Sequence, residues 1–286
     1  MRRPRWIPAR AVLPHVTAIL VASPLLAQSS RDFCRAPDAG IALDHVVIAV
    51  QDLASAAADF RSLGFTLKPG RLHSNGLLNS HVKFADGTAL EIMSVERAST
   101  DPLAMVYESF LLAGDGGVFV AIEADPARVT EAASELGLSS EVTRSGPFTW
   151  VTVDDSRRSP GGWSSPVFFI SYGARTADPD SILVHDAGAS GIGAVMLDAT
   201  GDLADLLFRL GAGACPIDTE SEMESIVIVG LRNAELVLSI HEGPRPRRAA
   251  VRQVALYGAP GTPSTQPEFM DTRRTHGIRL LLDARQ

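Results

Sequence analysis

The segment from Leu43 to Val95 constrains this chain more than any other part of it. It opens with LDHVVIAV, where apolar residues occupy both parities and β-branched residues recur, a pattern that favours a buried strand. Asp52 then stands where a helix N-cap belongs. Leu53, Ala56, Ala57, Phe60 and Leu63 recur at helical spacing, and Gly64 is placed to end the helix. One face of that helix is expected to lie on the sheet. A turn marked by Gly and Pro follows, and HVKFADGTALEIMSV reads as a closing hairpin.

The hairpin has two candidate registers, and they expose different chemistry. A two-residue Asp86-Gly87 loop would pair Val82 with Glu91. A three-residue loop, Ala85-Asp86-Gly87 with Gly87 in the left-handed region, pairs Val82 with Leu90 and sets His81 across from Glu91. The second register gathers Val82, Phe84, Leu90 and Ile92 on one face and Asn79, His81, Lys83, Glu91 and Met93 on the other. A slip of one residue moves every side chain through the sheet, so the apolar pattern selects the three-residue loop. Val46, Ile48 and Val50 then belong to the helix-packed face. His45 joins His81 and Glu91 on the open face.

With that pattern in place, LDHVVIAVQDL followed by GTALEIMSV resembles the first βαβββ module of the vicinal oxygen chelate superfamily, in its glyoxalase-like branch. Arg71, His73 and Asn79 between them resemble that branch as well. The resemblance implies an α+β fold of the glyoxalase/bleomycin-resistance type, with repeated βαβββ modules forming curved mixed sheets. It also implies that His45 and Glu91 are half of a divalent-metal site whose other half comes from a second module.

The pattern recurs along the chain. Gly117 to Glu123 is a strand, Asp125-Pro126 opens a helix striped by Val129, Ala132, Ala133 and Leu136, and Phe148 to Val153 and Val167 to Tyr172 are strands. The run PVFFISYG resembles the closing strand of a second module. Ile192 to Asp198, a helix from Asp202 to Leu210, and strands Ile226 to Leu231 and Glu235 to Ile240 make a third unit. This spacing points to internal duplication. The expected division is an extension over 1–30, a glyoxalase-like domain of two modules over 41–174, a third module over 190–242 and a C-terminal extension over 243–286. A last strand falls at Ile278 to Asp283. Modules of this superfamily pair, so the third is expected to extend the sheet alone or to pair with another subunit in a homodimer.

The net charge of -7 gives no reason to expect a nucleic-acid partner. Arg2, Arg3, Arg5 and Arg10 precede an apolar stretch from Ala11 to Ala27 that Pro14, His15 and Pro24 interrupt. This reads as an export signal cleaved after Ala27, too broken for a stable membrane span, and it implies a secreted or periplasmic protein. An unstructured extension is the alternative. Export would permit a disulfide between Cys34 and Cys215, and the sequence leaves paired and unpaired readings open. Arg245, Arg247, Arg248 and Arg252 read as solvated surface.

His45, His81 and Glu91 on one face suit Zn, Fe, Mn, Ni or Co. Such a metal would polarise two neighbouring substrate oxygens, while Glu91 moves a proton as the catalytic group. The second half-site is where the pattern thins. Aligning Asp52 with Asp125 puts Val118 where a second His is needed, and the third unit offers Ala194 or Val195. Aligning GTALEIMSV with NAELVLSI puts Leu236 opposite Glu91 and turns Glu235 to the other side. The competing reading is a metal-free polar cup in which Lys83 neutralises Glu91. His73, Asn79 and Lys83 are expected to bind substrate near the rim, although Ser74-Asn75-Gly76 would explain His73 and Asn79 as turn residues equally well. His185 is read as a solvated loop residue with some claim on the site, and Trp150 and Trp163 as core. No P-loop, dinucleotide-binding glycine fingerprint, nucleophile elbow or HExxH occurs. The expected function is binding of a small oxygenated molecule in a sheet-lined cup, by a metal-dependent lyase, isomerase or dioxygenase. The alternative is a metal-free binding or sequestering protein of the same fold.

Overall fold

The computed structural model describes residues 33–154, 165–216, 225–241, 250–258 and 267–283. The arginine-led segment, Trp163, Arg245, Arg247 and Arg248, and residues 259–266 of the C-terminal extension lie outside the described residues. Among the described residues no helix is long and apolar enough to cross a membrane.

The first unit runs β1 (Ala42–Ala49), α1 (Leu53–Ser62), β2 (Lys68–Leu72), β3 (Leu77–Lys83) and β4 (Ala89–Val95). Asp52 caps α1 by accepting from the Ser55 backbone N–H at 3.0 Å. β1 lies parallel to β4, which pairs antiparallel with β3, and β3 with β2. The β3–β4 hairpin adopts the three-residue loop. Gly87 has φ 88°, the Phe84 N–H donates to the Thr88 carbonyl at 2.9 Å, and His81 sits across from Glu91. Val46, Ile48, Val82, Phe84, Leu90 and Ile92 pack with Phe60 of α1 in the main core.

The second unit repeats the plan as β5 (Gly116–Glu123), α3 (Pro126–Glu135), β6 (Ser139–Ser145), β7 (Phe148–Asp154) and β8 (Val167–Tyr172). β5 pairs antiparallel with β1, so the two units form one curved sheet with an open face. Between them lies α2 (Pro102–Leu111), a helix the sequence reading passed over. Asp101 caps it through Leu103 and Ala104 N–H groups at 3.0 and 3.2 Å. Its Tyr107 and Phe110 set their edges against Phe119 at 5.7 and 5.5 Å. This places an apolar helix over part of the open face, on Val47, Ala49 and Met93.

The third unit is β9 (Ala189–Ala199), α4 (Gly201–Arg209), β10 (Gly213–Ala214), β11 (Ser225–Gly230) and β12 (Glu235–Ile240). Thr200 caps α4. The partner of this unit comes from its own chain. β13 (Val251–Gly258) pairs antiparallel with β9 as β5 does with β1. β13 in turn lies parallel to β15 (Arg279–Asp283), which pairs antiparallel with β14 (Glu268–Phe269). Among the described residues, the C-terminal extension therefore supplies three strands of a fourth unit. Its pairing with β9 removes the edge that motivated a second subunit. The halves meet where Val251 pairs with Gly117. A Cβ at Gly117 would lie 2.8 Å from the Val251 Cβ, so the seam requires glycine there.

Cys34 and Cys215 form a disulfide across a sequence separation of 181. It straps the N-terminal segment to the third unit, where the Cys34 N–H also donates to Glu235 Oε2 at 2.7 Å. A cross-link closing so long a loop restricts the unfolded chain strongly and is worth about 2–4 kcal/mol in typical cases. Cys34→Ser is therefore expected to lower unfolding free energy by about that amount in denaturant titrations. A reductant should destabilise the parent protein similarly and leave the variant unchanged.

Candidate functional site

The open face of the first sheet is built in rows that cross the strands. One row runs Lys68, His81, Glu91, Val47 and Phe119 over β2, β3, β4, β1 and β5. The next runs Lys83, Ala89, His45, Ala121, Phe168 and Thr152. His45 is thus flanked by alanine on both neighbouring strands, and Phe168 stands next in line with its ring 5.7 Å from the imidazole.

A register shift between Leu43 and His45 leaves Asp44 as an extra residue in β1. Such a bulge re-aims a side chain that regular pleating would send to the far face. Here it puts Asp44 beside its neighbour, and His45 Nδ1 donates to Asp44 Oδ1 at 2.5 Å. His45 Nε2 lies 3.2 Å from Glu91 Oε2, and His81 Nε2 lies 3.3 Å from Glu91 Oε1. Asn79 donates to that same Oε1 at 2.7 Å, while its own carbonyl accepts from the Arg71 N–H at 2.9 Å. Tyr172 donates to Asp44 Oδ1 at 2.8 Å. Arg175 pairs with Asp44 Oδ2 and lies 3.8 Å over the Tyr172 ring.

The charges along this line alternate, and that decides their protonation. Burial favours neutral forms, but each buried charge here has an opposite neighbour. Burial alone would lower His45. Its hydrogen bonds and charge contacts with Asp44 and Glu91 outweigh this and raise it from the usual 6.5 to about 9. Burial would raise Asp44, yet His45, Tyr172 and Arg175 bring it down from 3.8 to about 2. Glu91 is likewise pulled well below the carboxylate range, against its burial, by His45 and His81. Tyr107 moves the other way, because burial and the nearby Glu91 charge both raise its hydroxyl. Burial and the Arg71 charge lower His73. Two ring nitrogens, His73 Nε2 and His81 Nδ1, are buried without a hydrogen-bond partner among the described residues.

The site thus gathers His45, His81, Glu91 and Asn79, with His73 coupled to them. Lys83 is not what neutralises Glu91. Its row position falls opposite Ala89, and the two histidines and Asn79 take both Glu91 oxygens. His185 is neither solvated nor in the site. Its Nδ1 accepts from the Thr66 N–H at 3.0 Å, its Nε2 donates to the Lys83 carbonyl at 2.9 Å, and its ring packs edge-on to Phe65 and Phe84. Trp150 is half-buried on the open face, whereas the core residues of β7 are Val151 and Val153. In the third unit Leu236 packs in the main core and Glu235 belongs to the opposite face, the reverse of the sequence alignment. Asp44, Tyr172, Arg175 and Tyr107 were missed. The Asp44-His45 pair was in view, but the bulge that makes them neighbours in space carries no sequence signature.

A divalent metal on the family plan needs donors from β5 and β8. The open-face residues there that stand nearest His45 and Glu91 are Phe119, Ala121, Phe168 and Ile170, and Val118 falls at a second register shift. None of these has a ligating atom, while Glu123 and Tyr172 further along the same face are engaged by Arg175 and Asp44. On the β1 side, both ring nitrogens of His45 are already held by carboxylates. Among the described residues no three His, Cys, Asp or Glu side chains are grouped so as to hold an ion. The donor set does not fit the four-donor centre.

The buried pair sets a pH signature. His45 has a folded value above its unfolded one, so the folded state keeps a proton that the unfolded chain releases. Its contribution should be complete below about pH 6.5 and lost as pH rises through 9. Asp44 is lowered, so its contribution should be present above about pH 3.8 and lost as pH falls towards 2. Unfolding free energies measured from pH 3 to pH 10 should fall at both ends, and His45→Gln should flatten the alkaline limb.

The comparisons agree with this architecture. The model of the family described as "Glyoxalase-like domain" matches residues 43–205. No curated protein sequence matches. Among solved structures, a hypothetical protein from Staphylococcus aureus superposes with a TM-score of 0.57 at 12% identity, covering 85% of this chain and 98% of that one. The 2,3-dioxygenase LapB from Pseudomonas sp. KL28 superposes with a TM-score of 0.50 at 12% identity, covering 87% of this chain and 93% of that one. At these identities the two structures bear on the fold alone. With the family model spanning more than half of its length, this chain belongs to the glyoxalase-like domain family, within the vicinal oxygen chelate superfamily.

Proposed function

We propose that the protein binds a small oxygenated molecule in the first cup and engages it through hydrogen bonds and proton transfer, without a four-donor metal centre. The observation that carries this reading is the clamp on His45, whose two ring nitrogens face Asp44 and Glu91. His45 serves as a fixed positive charge at the floor of the cup. An oxygen that develops negative charge is stabilised beside it. Glu91, kept ionised, anchors His45 and His81, and His81 and His73 bring the unspent nitrogens that orient ligand oxygens and take up a proton. Sequestration and metal-independent proton transfer both fall within this reading. Export to an oxidising compartment is part of the same proposal, because a structural disulfide belongs there.

Thermal-shift measurements with a panel of 2-hydroxy and 2-oxo acids test it. Stabilisation is expected in the presence of EDTA, weakened about tenfold by His81→Ala or Glu91→Gln, each of which removes a hydrogen bond to a charged group. Stoichiometric metal in protein purified without chelator, lost from His45→Ala together with all ligand shifts, would replace the proposal with a metal-centred one.

A further inference from the structure

Between β8 and β9 the chain crosses the sheet at the end nearest His45. Arg175 pairs with Asp44 and lies 3.3 Å from Glu123 Oε2, at the start of β1 and the end of β5. Asp178 pairs with Lys68 at the start of β2. The Val184 carbonyl then accepts from the Thr66 hydroxyl at 2.7 Å, and the Ala187 N–H donates to the Gly64 carbonyl at 3.0 Å. Asp44 belongs to the charged line, and Lys68 stands in the open-face row of His81 and Glu91. Residues 173–187 therefore form a strap that spans the sheet of the first cup from β8 to β2 and walls its His45 end.

The ends of the strap are fixed and its middle is held differently. At one end the Gly173 N–H donates to the Pro147 carbonyl at 2.8 Å. At the other, His185 is buried with both ring nitrogens bonded and its ring against Phe65 and Phe84. Among the described residues, the backbone of 174–183 bonds only within its own turn, where the Ile182 and Leu183 N–H groups donate to the Pro179 and Asp180 carbonyls at 3.0 Å each. All of this stretch except Asp178, Ile182 and Leu183 is exposed. What holds the middle is charge. Lys68 and Arg175 are 43% and 42% exposed, and ion pairs of that kind hold weakly and are screened by salt. A segment with little apolar burial opens locally at a far lower cost than the whole fold. Arg175 also latches onto the carboxylate that holds His45, so closing the strap and completing the charged floor are one event. We infer that residues 174–184 are a gate over the His45 end of the first cup, latched by the Arg175–Asp44 and Asp178–Lys68 pairs and pivoting between Gly173 and His185. Its role in admitting a ligand rests on the small-oxygenated-ligand reading above, whereas its opening does not.

Diethyl pyrocarbonate, which acylates unprotonated imidazole nitrogens, reads the gate with no ligand present. His81 Nδ1 is buried yet has no hydrogen-bond partner among the described residues, so its labelling in the folded full chain reports opening. Labelling rates at His81, followed by peptide mass spectrometry at neutral pH, should rise about two- to fivefold with Asp178→Asn or Lys68→Glu, the effect of losing one half-exposed ion pair. The swap of Lys68→Glu with Asp178→Lys should return the rate to that of the parent, which a general loosening of the fold would not do. Salt at about 1 M should speed labelling of the parent and leave the Arg175→Gln, Asp178→Asn double variant unchanged. Rates that ignore both salt and the single variants, or a swap that fails to restore the parent rate, would overturn the gate. Labelling that behaves as stated in a protein that binds none of the 2-hydroxy or 2-oxo acids would overturn the ligand reading and leave the gate standing.

Discussion

The register of one hairpin governs most of what this protein can do. Gly87 at φ 88° closes a three-residue loop that only a residue free of Cβ enters readily. That loop puts Val82, Phe84, Leu90 and Ile92 into the main core and His81 and Glu91 on the opposite face. A slip by one residue would expose four large apolar side chains, each worth about 1.5–3 kcal/mol when buried. It would also drive a carboxylate into a core with no cation to meet it, at a cost of several kcal/mol. Core and site are therefore two faces of a single choice. Any change that relaxes the loop acts on both together.

Once the register is set, the site is held by alternation of charge. Arg175, Asp44, His45 and Glu91 follow one another with opposite neighbours, and His81 meets the far oxygen of Glu91. This is how two buried carboxylates stay ionised in a place where burial works against them. The cation in the middle is His45, and its position depends on small neighbours. Larger residues than Ala89 and Ala121 would crowd the imidazole from both sides. Arg175 comes from beyond β8, so the second unit serves the site as a supplier of charge and aromatic surface.

Much of this was legible. The alternation of the hairpin, the Asp52 cap, the Gly87 loop and the threefold recurrence are local signals, and local signals survive tertiary context when they agree with one another. His45, His81 and Glu91 could be placed together because strand parity and one hairpin sufficed. The rest failed for identifiable reasons. Asp101-Pro102 before α2 is the same cap signal as Asp125-Pro126, but it stood outside the repeating pattern and was overlooked. β13 begins among arginines and reads as surface until its partner β9 is known. The parity of β12 was inverted because an alignment by sequence alone is blind to a shift of one residue, the same ambiguity that the apolar pattern resolved in β3–β4. Arg175 reaches Asp44 across 131 positions, a distance no local pattern bridges.

The third unit separates what the fold requires from what the site requires. β9 carries the same register shift as β1. Leu43 and His45 face Ile122 and Ala121, while Ile192 and Ala194 face Leu256 and Ala255. The extra residue is Asp44 in one case and Gly193 in the other. Following the parallel pairing to the fourth strand of each unit, Glu91 faces Val47 and Val237 faces Met196. The bulge is thus common to both units and belongs to the architecture. The charged trio Asp44, His45 and Glu91 is replaced by Gly193, Ala194 and Val237. The space left by this loss is used. A Cβ at Gly193 would come within 2.1 Å of the Phe33 ring, which packs on Ala194, Ala255 and Leu281 under the strap that Cys34 and Cys215 hold in place. One copy of the bulge aims charge into an open cup. The other gives up its side chains and accepts a ring from the chain's own N-terminal segment. That contrast leaves the charged cluster in the first unit, while in the third unit the same bulge serves packing.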